Sequence, residues 1–238
     1  DCGLFQGLKE LRLRNWAPVP IDLARLRAVI LTHAHIDHSG YLPRIVGKGY
    51  KGPVFATPGT CDLLRVMLPD AAHLQEEEAQ YANRKGYSKH TPALPLYTIE
   101  DADRALRLLR PTRHGESVQV TKGLFLRFDR VGHILGAGSA RLSFEVGGKT
   151  KTLLDSGDLG RYDRPILKDP EPAGAADWLL IESTYGNRLH PQESAAELRA
   201  IIKETADRQR CLIIPAFAIG RTQELVYTIR KMEDGGEI

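Results

Sequence analysis

Residues 27–40 of the chain read RAVILTHAHIDHSG. The first six form a short apolar run rich in branched residues, which predicts a buried strand. The run ends in four candidate metal ligands within six residues: His33, His35, Asp37 and His38. Packing does not call for so many imidazole and carboxylate groups at a strand end, because burying them is costly. These groups bind zinc, and also manganese or iron, so the segment predicts a metal site.

The spacing of the four ligands suggests more than one ion. On a turn, the alternate residues His33 and His35 can point one way, while Asp37 and His38 begin the next helix and can point elsewhere. Two metals about 3.5–4 Å apart would use both sets. The remaining ligands must then come from later strand ends.

Two later segments offer such ligands. His133 lies in residues 131–139, VGHILGAGS, whose glycines allow close backbone approach to a site. Asp155 ends the apolar strand in residues 152–158, TLLDSGD, and a carboxylate there could bridge two cations. Asp158 competes with Asp155. We favour Asp155 because the strand positions it, whereas Asp158 lies in the turn.

These motifs, in this order, resemble the metallo-β-lactamase fold. The similarity rests on HAHIDHSG at 33–40, GHILGAGS at 132–139 and SGD at 156–158. Asp1-Cys2-Gly3 resembles the first motif of that fold, an Asp that ends an early strand.

The downstream sequence resembles the β-CASP branch of that fold. IESTYGNR at 181–188 is similar to the branch's first motif, and IPAFAIGRTQEL at 214–225 to a strand-to-helix passage of its inserted domain. The branch includes bacterial and archaeal RNA-processing nucleases and the endonuclease of mRNA 3′-end cleavage.

The resemblance implies a role for each candidate residue. Asp37 and Glu182 would be the catalytic acidic residues, with Glu182 orienting a later general-acid His. Asp1 would hold the histidine loop through hydrogen bonds. The metal ligands would be His33, His35 and His133 for the first zinc, Asp37 and His38 for the second, and Asp155 between the two.

Arg221 has two interpretations. It opens a helix after Gly220, where its guanidinium and the exposed N–H groups could take an RNA phosphate. An ordinary packing turn with a solvated Arg explains it equally well. His190 follows the Glu182 motif and is a minor candidate for the same cleft.

The implied fold class is α/β. Residues 1–188 would form an αββα metallo-β-lactamase sandwich, incomplete at both ends, and residues 189–238 the beginning of an inserted β-CASP α/β domain. Because the chain begins without Met at what looks like the end of a strand, we interpret it as an internal fragment. The last ligand His and the general acid of the family would follow Ile238, so we expect the fragment itself to be inactive.

Hydrophobic periodicity predicts interleaved helices and strands. The predicted strands are 27–32, 53–57, 177–181 and 211–215, with hairpin strands from 118 to 155. The predicted helices are 37–47, 57–68 with a helical continuation to 85, 99–109, 191–207 and 221–231.

Composition limits the function classes. The 238 residues include 33 Lys or Arg and 30 Asp or Glu, and a net charge of +3 does not by itself indicate a nucleic-acid partner. A hydrophobic fraction of 42% fits a globular protein. No apolar run approaches the roughly 20 residues of a membrane helix. Three scattered cysteines give no disulfide framework, which favours the cytoplasm.

The predicted function is that of a zinc-dependent ribonuclease. Hydroxide activated by two Zn²⁺ ions, or Mn²⁺, would attack the backbone of single-stranded RNA, with endonuclease action, 5′-exonuclease action or both. We expect no membrane partner, and a homodimer of the longer protein is conceivable. The alternatives are a small-molecule hydrolase of the same fold and a DNA-directed β-CASP nuclease. Intact ligand positions disfavour an inactive scaffold subunit.

Overall fold

The computed structural model describes residues 1–189 and 195–238. The helices are α1 (Lys9–Arg14), α2 (Ile36–Ser39), α3 (Leu42–Gly47), α4 (Pro58–Lys85), α5 (Ile99–Arg107), α6 (Ala195–Asp207) and α7 (Arg221–Asp234). The strands are β1 (Val29–Ile30), β2 (Val54–Ala56), β3 (Leu109–Pro111), β4 (Ser117–Thr121), β5 (Leu124–Arg130), β6 (Gly138–Val146), β7 (Lys149–Asp155) and β8 (Trp178–Leu180).

The first sheet is parallel, with the order β1-β2-β3. Its two faces are buried against different partners, because successive strand residues point to opposite sides. Val54 and Ala56 join the main core, which α3, α4 and α5 complete. Ile30 and Phe55 point the other way and pack against the second sheet.

The second sheet has the order β4-β5-β6-β7-β8. Its pairs are antiparallel except the last, in which β8 runs parallel to β7. Leu126, Phe128 and Ala140 are buried on the face toward the first sheet. Helices, first sheet and second sheet thus form successive layers, which confirms the predicted α/β class.

Three loops leave the sheets at one common edge. Residue 31 follows β1, residue 131 follows β5, and residue 156 follows β7. Register places Arg130 opposite Gly138, and Asp155 opposite Ala140, so the ends of β5 and β7 are neighbours across β6. The Gly138 N–H donates to the Thr32 carbonyl at 2.9 Å, which joins the first sheet to this edge. The fold therefore brings the three ligand-bearing segments together.

One predicted helix is divided in the structure. The single helix expected at 37–47 is two short ones, α2 and α3, separated at Gly40 and Tyr41. Pro43, which has no N–H to donate, lies in the first turn of α3. The helix predicted from 57, with its continuation to 85, is confirmed as the single helix α4, even though Pro69 lies inside it.

The predicted strand at 211–215 is wrong. Its residues are exposed and form no strand. An apolar run needs a hydrogen-bonded neighbour to become a strand, and no strand of residues 1–189 or 195–238 pairs with it. The predicted helix from Pro191 is described only from Ala195, and His190 lies outside the described residues. The domain boundary at 188 stays a prediction.

In the part of the chain that the structure describes, none of the helices has both the length and the apolar character needed to span a bilayer.

Truncation of the core side of α4 should destabilise the fold. Leu64 is completely buried in the main core, whereas Val66 on the same helix is 69% exposed. We expect Leu64→Ala to lower the free energy of unfolding by about 2–5 kcal/mol. Val66→Ala should change it by no more than about 0.5 kcal/mol. Urea denaturation followed by circular dichroism measures both; equal losses would contradict the core assignment.

Candidate metal centre

Four side chains converge at the common edge of the sheets. His33, His35, His133 and Asp158 each offer one ligand atom, and these atoms all lie within 4.8 Å of one another. Nδ1 of His35 lies 3.0 Å from Nε2 of His33 and 3.2 Å from Nε2 of His133. Oδ2 of Asp158 lies 3.5 Å from Nε2 of His133. The cluster combines residues from three separate loops.

A second group of ligands adjoins the first through Asp158. Its other oxygen, Oδ1, lies 3.1 Å from Nε2 of His38. The same nitrogen of His38 is 3.9 Å from Oδ2 of Asp37. The Asp158 carboxylate therefore lies between the three clustered histidines on one side and the Asp37–His38 pair on the other.

The structure differs from the sequence expectation at Asp155. This residue is not in the cluster; its carboxylate accepts a hydrogen bond from the Gly157 N–H at 3.0 Å. That bond stabilises a turn in which Gly157 has a φ of +53°, and the turn brings Asp158 to the histidines. The strand end thus positions the turn that brings Asp158, and not Asp155, into the cluster. The Gly after Ser156 was the signal for this geometry.

Asp1 and Thr32 orient two of the histidines. The Asp1 carboxylate accepts hydrogen bonds from the N–H of Thr32 at 2.7 Å and from its hydroxyl at 2.8 Å. It also lies 2.7 Å from Nδ1 of His38. Since the Thr32 hydroxyl gives its proton to Asp1, its oxygen can accept the Nδ1–H of His33, 3.0 Å away. The His33 ring then directs an unprotonated Nε2 toward the cluster, and Asp1 fixes the orientation of the His38 ring.

The pKa shifts of the three clustered histidines and Asp158 favour ligand-competent protonation states, whereas that of His38 favours its charged form. Burial, helped by the charge of His38, lowers the pKa of His33 to about 2. Burial also lowers the pKa values of His35 and His133. The hydrogen bond with His38 lowers the pKa of Asp158 to about 2. Burial acts to lower the pKa of His38, but the hydrogen bond and charge of Asp158 outweigh it and raise the pKa.

This donor set fits a divalent cation. With the Nδ1–H of His33 directed at Thr32, only one proton is left for the two contacts of 3.0 and 3.2 Å that His35 Nδ1 makes with His33 and His133. In a tetrahedral zinc site with Zn–N bonds of about 2.0–2.1 Å, ligand atoms are about 3.3–3.4 Å apart. The observed spacing is close to that value, and the ionised Asp158 supplies negative charge.

The loop that carries His133 is held by the start of α4. The Gly136 carbonyl accepts hydrogen bonds from the Thr57 hydroxyl at 2.5 Å and the Thr60 hydroxyl at 3.1 Å. Both threonines are fully buried. A Cβ on Gly136 would lie 2.2 Å from the backbone N of Thr60, and its φ is +79°. Sequence reasoning missed this contact, because the partners are more than seventy residues apart.

Glu182 and Arg221 both line a cleft of about 250 Å³ that includes His35, His133 and Asp158. The Glu182 carboxylate accepts the Leu159 N–H at 2.6 Å, directly after Asp158. Its own N–H donates to the Ser156 hydroxyl at 3.1 Å. Glu182 therefore holds the Asp158 turn from both sides.

Arg221 lies on the α7 side of this cleft. Its guanidinium is 3.5 Å from the Glu224 carboxylate, which also pairs with Arg164. These ion pairs attach α7 to the segment after Asp158. Both interpretations of Arg221, as a phosphate contact and as a packing residue, fit this arrangement.

Removal of the Thr57 hydroxyl should weaken metal binding. We expect Thr57→Val, which keeps the shape but loses the hydroxyl's bonds to Gly136 and to the Thr60 N–H, to lower zinc affinity by about 10–100-fold. Thr57→Ser keeps the hydroxyl and should bind nearly as tightly as the unaltered protein. Competition against a chromophoric chelator measures the affinities. Equal affinity in all three proteins would contradict a positioning role.

Curated proteins resemble this chain along almost its whole length, and three of them illustrate the match. Ribonuclease TTHA0252 of Thermus thermophilus is 38% identical over 232 residues, covering 96% of this chain and 48% of that protein. Probable RNase MJ4 of Methanocaldococcus jannaschii is 32% identical, covering 95% and 49%. Transcription termination factor FttA of the same organism is 30% identical, covering 97% and 35%.

The chain thus spans about half or less of the length of these relatives. A family profile described as beta-lactamase superfamily domain matches residues 1–210, which is most of the chain. It includes the three loops that meet at the metal centre and the Glu182 segment. The chain therefore belongs to the beta-lactamase superfamily, as its ligand motifs predicted.

Proposed function

We propose that the chain is the metal-binding part of a β-CASP ribonuclease that hydrolyses phosphodiester bonds of single-stranded RNA. The observation that carries the proposal is one cleft that combines the His–Asp cluster with Glu182 and Arg221. Two of the relatives named above are called ribonucleases, which supports RNA as the substrate.

The proposed ligands follow the geometry of the two groups. Asp158 replaces Asp155 as the shared carboxylate, because its two oxygens face different ligand groups. The ligands are His33, His35 and His133 for one cation, Asp37 and His38 for the other, and Asp158 for both. Zinc is the cation we propose, and the same ligands accept manganese.

Divalent cations at this centre would supply Lewis acidity, lowering the pKa of water and offsetting negative charge on phosphate oxygens. The protein supplies the orientation. Asp1 and Thr32 keep two imidazole rings directed at the centre. The Glu182 carboxylate keeps the Asp158 turn in place. A fixed site of this kind does not have to reorganise as charge develops during the reaction.

Arg221 and Glu182 complete the proposed roles. The planar guanidinium of Arg221 matches the geometry of a phosphate, and its place in the cleft would let it hold the RNA backbone. Glu182 lies in the same cleft as His133 and Asp158, where a carboxylate could orient a general acid for the leaving oxygen. A cytoplasmic location is part of the proposal, and a homodimer stays a prediction.

Cleavage assays on the full-length polypeptide test the proposal. We expect cleavage of 5′-labelled single-stranded RNA, but not of DNA of the same sequence, and loss of cleavage with chelator. Asp37→Ala/His38→Ala should also abolish it. Asp70→Ala/His73→Ala, a matched pair on the exposed side of α4, should not. No cleavage of either polymer by metal-loaded protein would overturn the proposal in favour of a small-molecule hydrolase, and cleavage of DNA alone in favour of a DNA nuclease.

A pair of Asp→Asn variants tests the choice of shared ligand. We expect Asp158→Asn to lower RNA cleavage by at least about 100-fold, because it removes the charge between the two ligand groups. Asp155→Asn should stay within a few-fold of the unaltered protein, since an amide oxygen can still accept the Gly157 N–H. Initial cleavage rates and bound zinc per chain measure both variants. If Asp155→Asn lost more cleavage and more bound zinc than Asp158→Asn, Asp155 would be the bridging ligand instead.

A further inference from the structure

An open groove of about 650 Å³ lies outside the metal centre. Residues 4–16 form one wall and residues 87–96 the other. The C-terminal half of α4 forms the floor, with Gln75, Glu78 and Ala82. None of the roles described so far uses this groove.

Each wall is held by the side chain of a different asparagine. The Asn15 amide donates to the Phe5 carbonyl and accepts the Phe5 N–H, each at 2.9 Å. Asn83 bonds Ala93 in the same two-sided way, at 2.9 Å and 2.7 Å. The groove is therefore preorganised, so a ligand would not have to order its walls on binding.

Large rings are exposed along both walls. Phe5 and Trp16 are each 48% exposed on one wall, and Tyr87 is 60% exposed on the other. All three line the groove. Exposed rings that share a groove, rather than being scattered over a surface, indicate a binding site.

The walls also carry an excess of positive charge. Residues 4–16 and 87–96 contain four cations and one acid, a net charge equal to the +3 of the whole chain. Lys9 and Arg12 line the groove, and the Arg14 guanidinium lies 5.7 Å from the Phe5 ring. The other wall cation is Lys89, and the acids are Glu10 on the wall and Glu78 on the floor.

The groove begins beside the metal centre. Ile36, which lines it, lies between the proposed ligands His35 and Asp37 in the chain. The Leu4 N–H donates to the Ile36 carbonyl at 3.1 Å, which ties the wall to this loop. A bound RNA strand that left the metal-site cleft past Asp37 would enter the groove at this end.

We infer that the groove binds a single-stranded segment of the RNA substrate, beyond the bond that is cleaved. Bases stack on exposed aromatic rings, and phosphates are held by surrounding cations; the groove supplies both. Glu78, on the floor, offers a carboxylate to base edges rather than to phosphates. The charge excess favours this occupant over a protein segment. The inference rests on the proposed function for the identity of the polymer.

A binding assay tests the groove without relying on cleavage. Fluorescence anisotropy measures the affinity for a labelled 20-nucleotide oligouridylate, with chelator present so that the strand stays intact. We expect Trp16→Ala and Tyr87→Ala each to raise the Kd by about fivefold or more. Lys9→Ala/Arg12→Ala should also raise the Kd. The slope of log Kd against log salt concentration should fall by the amount that about one phosphate contact or more contributes.

Matched variants away from the groove serve as controls. Phe125 is 44% exposed on β5, and Lys48 and Lys51 are exposed near the end of α3. Phe125→Ala and Lys48→Ala/Lys51→Ala should leave the Kd unchanged. Thermal melting checks that every variant is folded. The inference is overturned if the groove variants bind like the unaltered protein, or if the controls lose as much affinity.

Cleavage by the metal-loaded full-length protein separates this inference from the proposed function. Groove variants should lose activity on a 20-nucleotide RNA and keep it on a six-nucleotide RNA. If RNA is cleaved with chelator sensitivity but the groove variants behave normally on both lengths, the groove inference fails and the ribonuclease stands. If no RNA is cleaved but the groove variants weaken binding, the function fails and the binding site stands.

Discussion

The buried residue Thr32 connects the parts on which the metal centre depends. Its N–H and hydroxyl both bond Asp1, and its hydroxyl also faces the His33 ring. Its carbonyl accepts the Gly138 N–H at the end of the His133 loop. A Cβ on Gly157 would lie 2.7 Å from its side chain, so the Asp158 turn packs directly against it. One residue at the end of β1 thus fixes the relative positions of all three ligand-bearing loops.

The electrostatics of the centre favour binding of cations before binding of an anionic substrate. Asp37, Asp158 and Glu182 are carboxylates around histidines that burial keeps neutral. A polyanion approaching this group alone would meet repulsion, in a partly buried site where water screens charge poorly. Cations held by the ligands would reverse the sign of the local potential. The residues proposed to hold metal would therefore also control when the proposed anionic substrate can approach.

Local patterns predicted the parts of the site that are contiguous in sequence. His33, His35, Asp37 and His38 were recognisable because six residues contain all four, and His133 because glycines flank it. Sequence pattern could not decide between Asp155 and Asp158. The choice depends on a turn at Gly157 with a positive φ, which directs the Asp158 carboxylate toward the histidines. The contact of Thr57 with Gly136 depends on tertiary packing and leaves no local signal. The strand expected at 211–215 failed for a related reason, since pairing depends on a neighbour that an apolar run does not specify.

The long helix α4 serves both the metal centre and the groove. Five of its six buried residues lie between Thr60 and Ala72, so its first half is anchored in the core. Its second half forms the groove floor and is mostly exposed. Pro69, near the middle, has no N–H to donate to the Arg65 carbonyl, and such positions are where helices bend. One helix therefore joins the groove floor to the threonines that hold the His133 loop, and Pro69 leaves an internal hydrogen bond missing between its two halves.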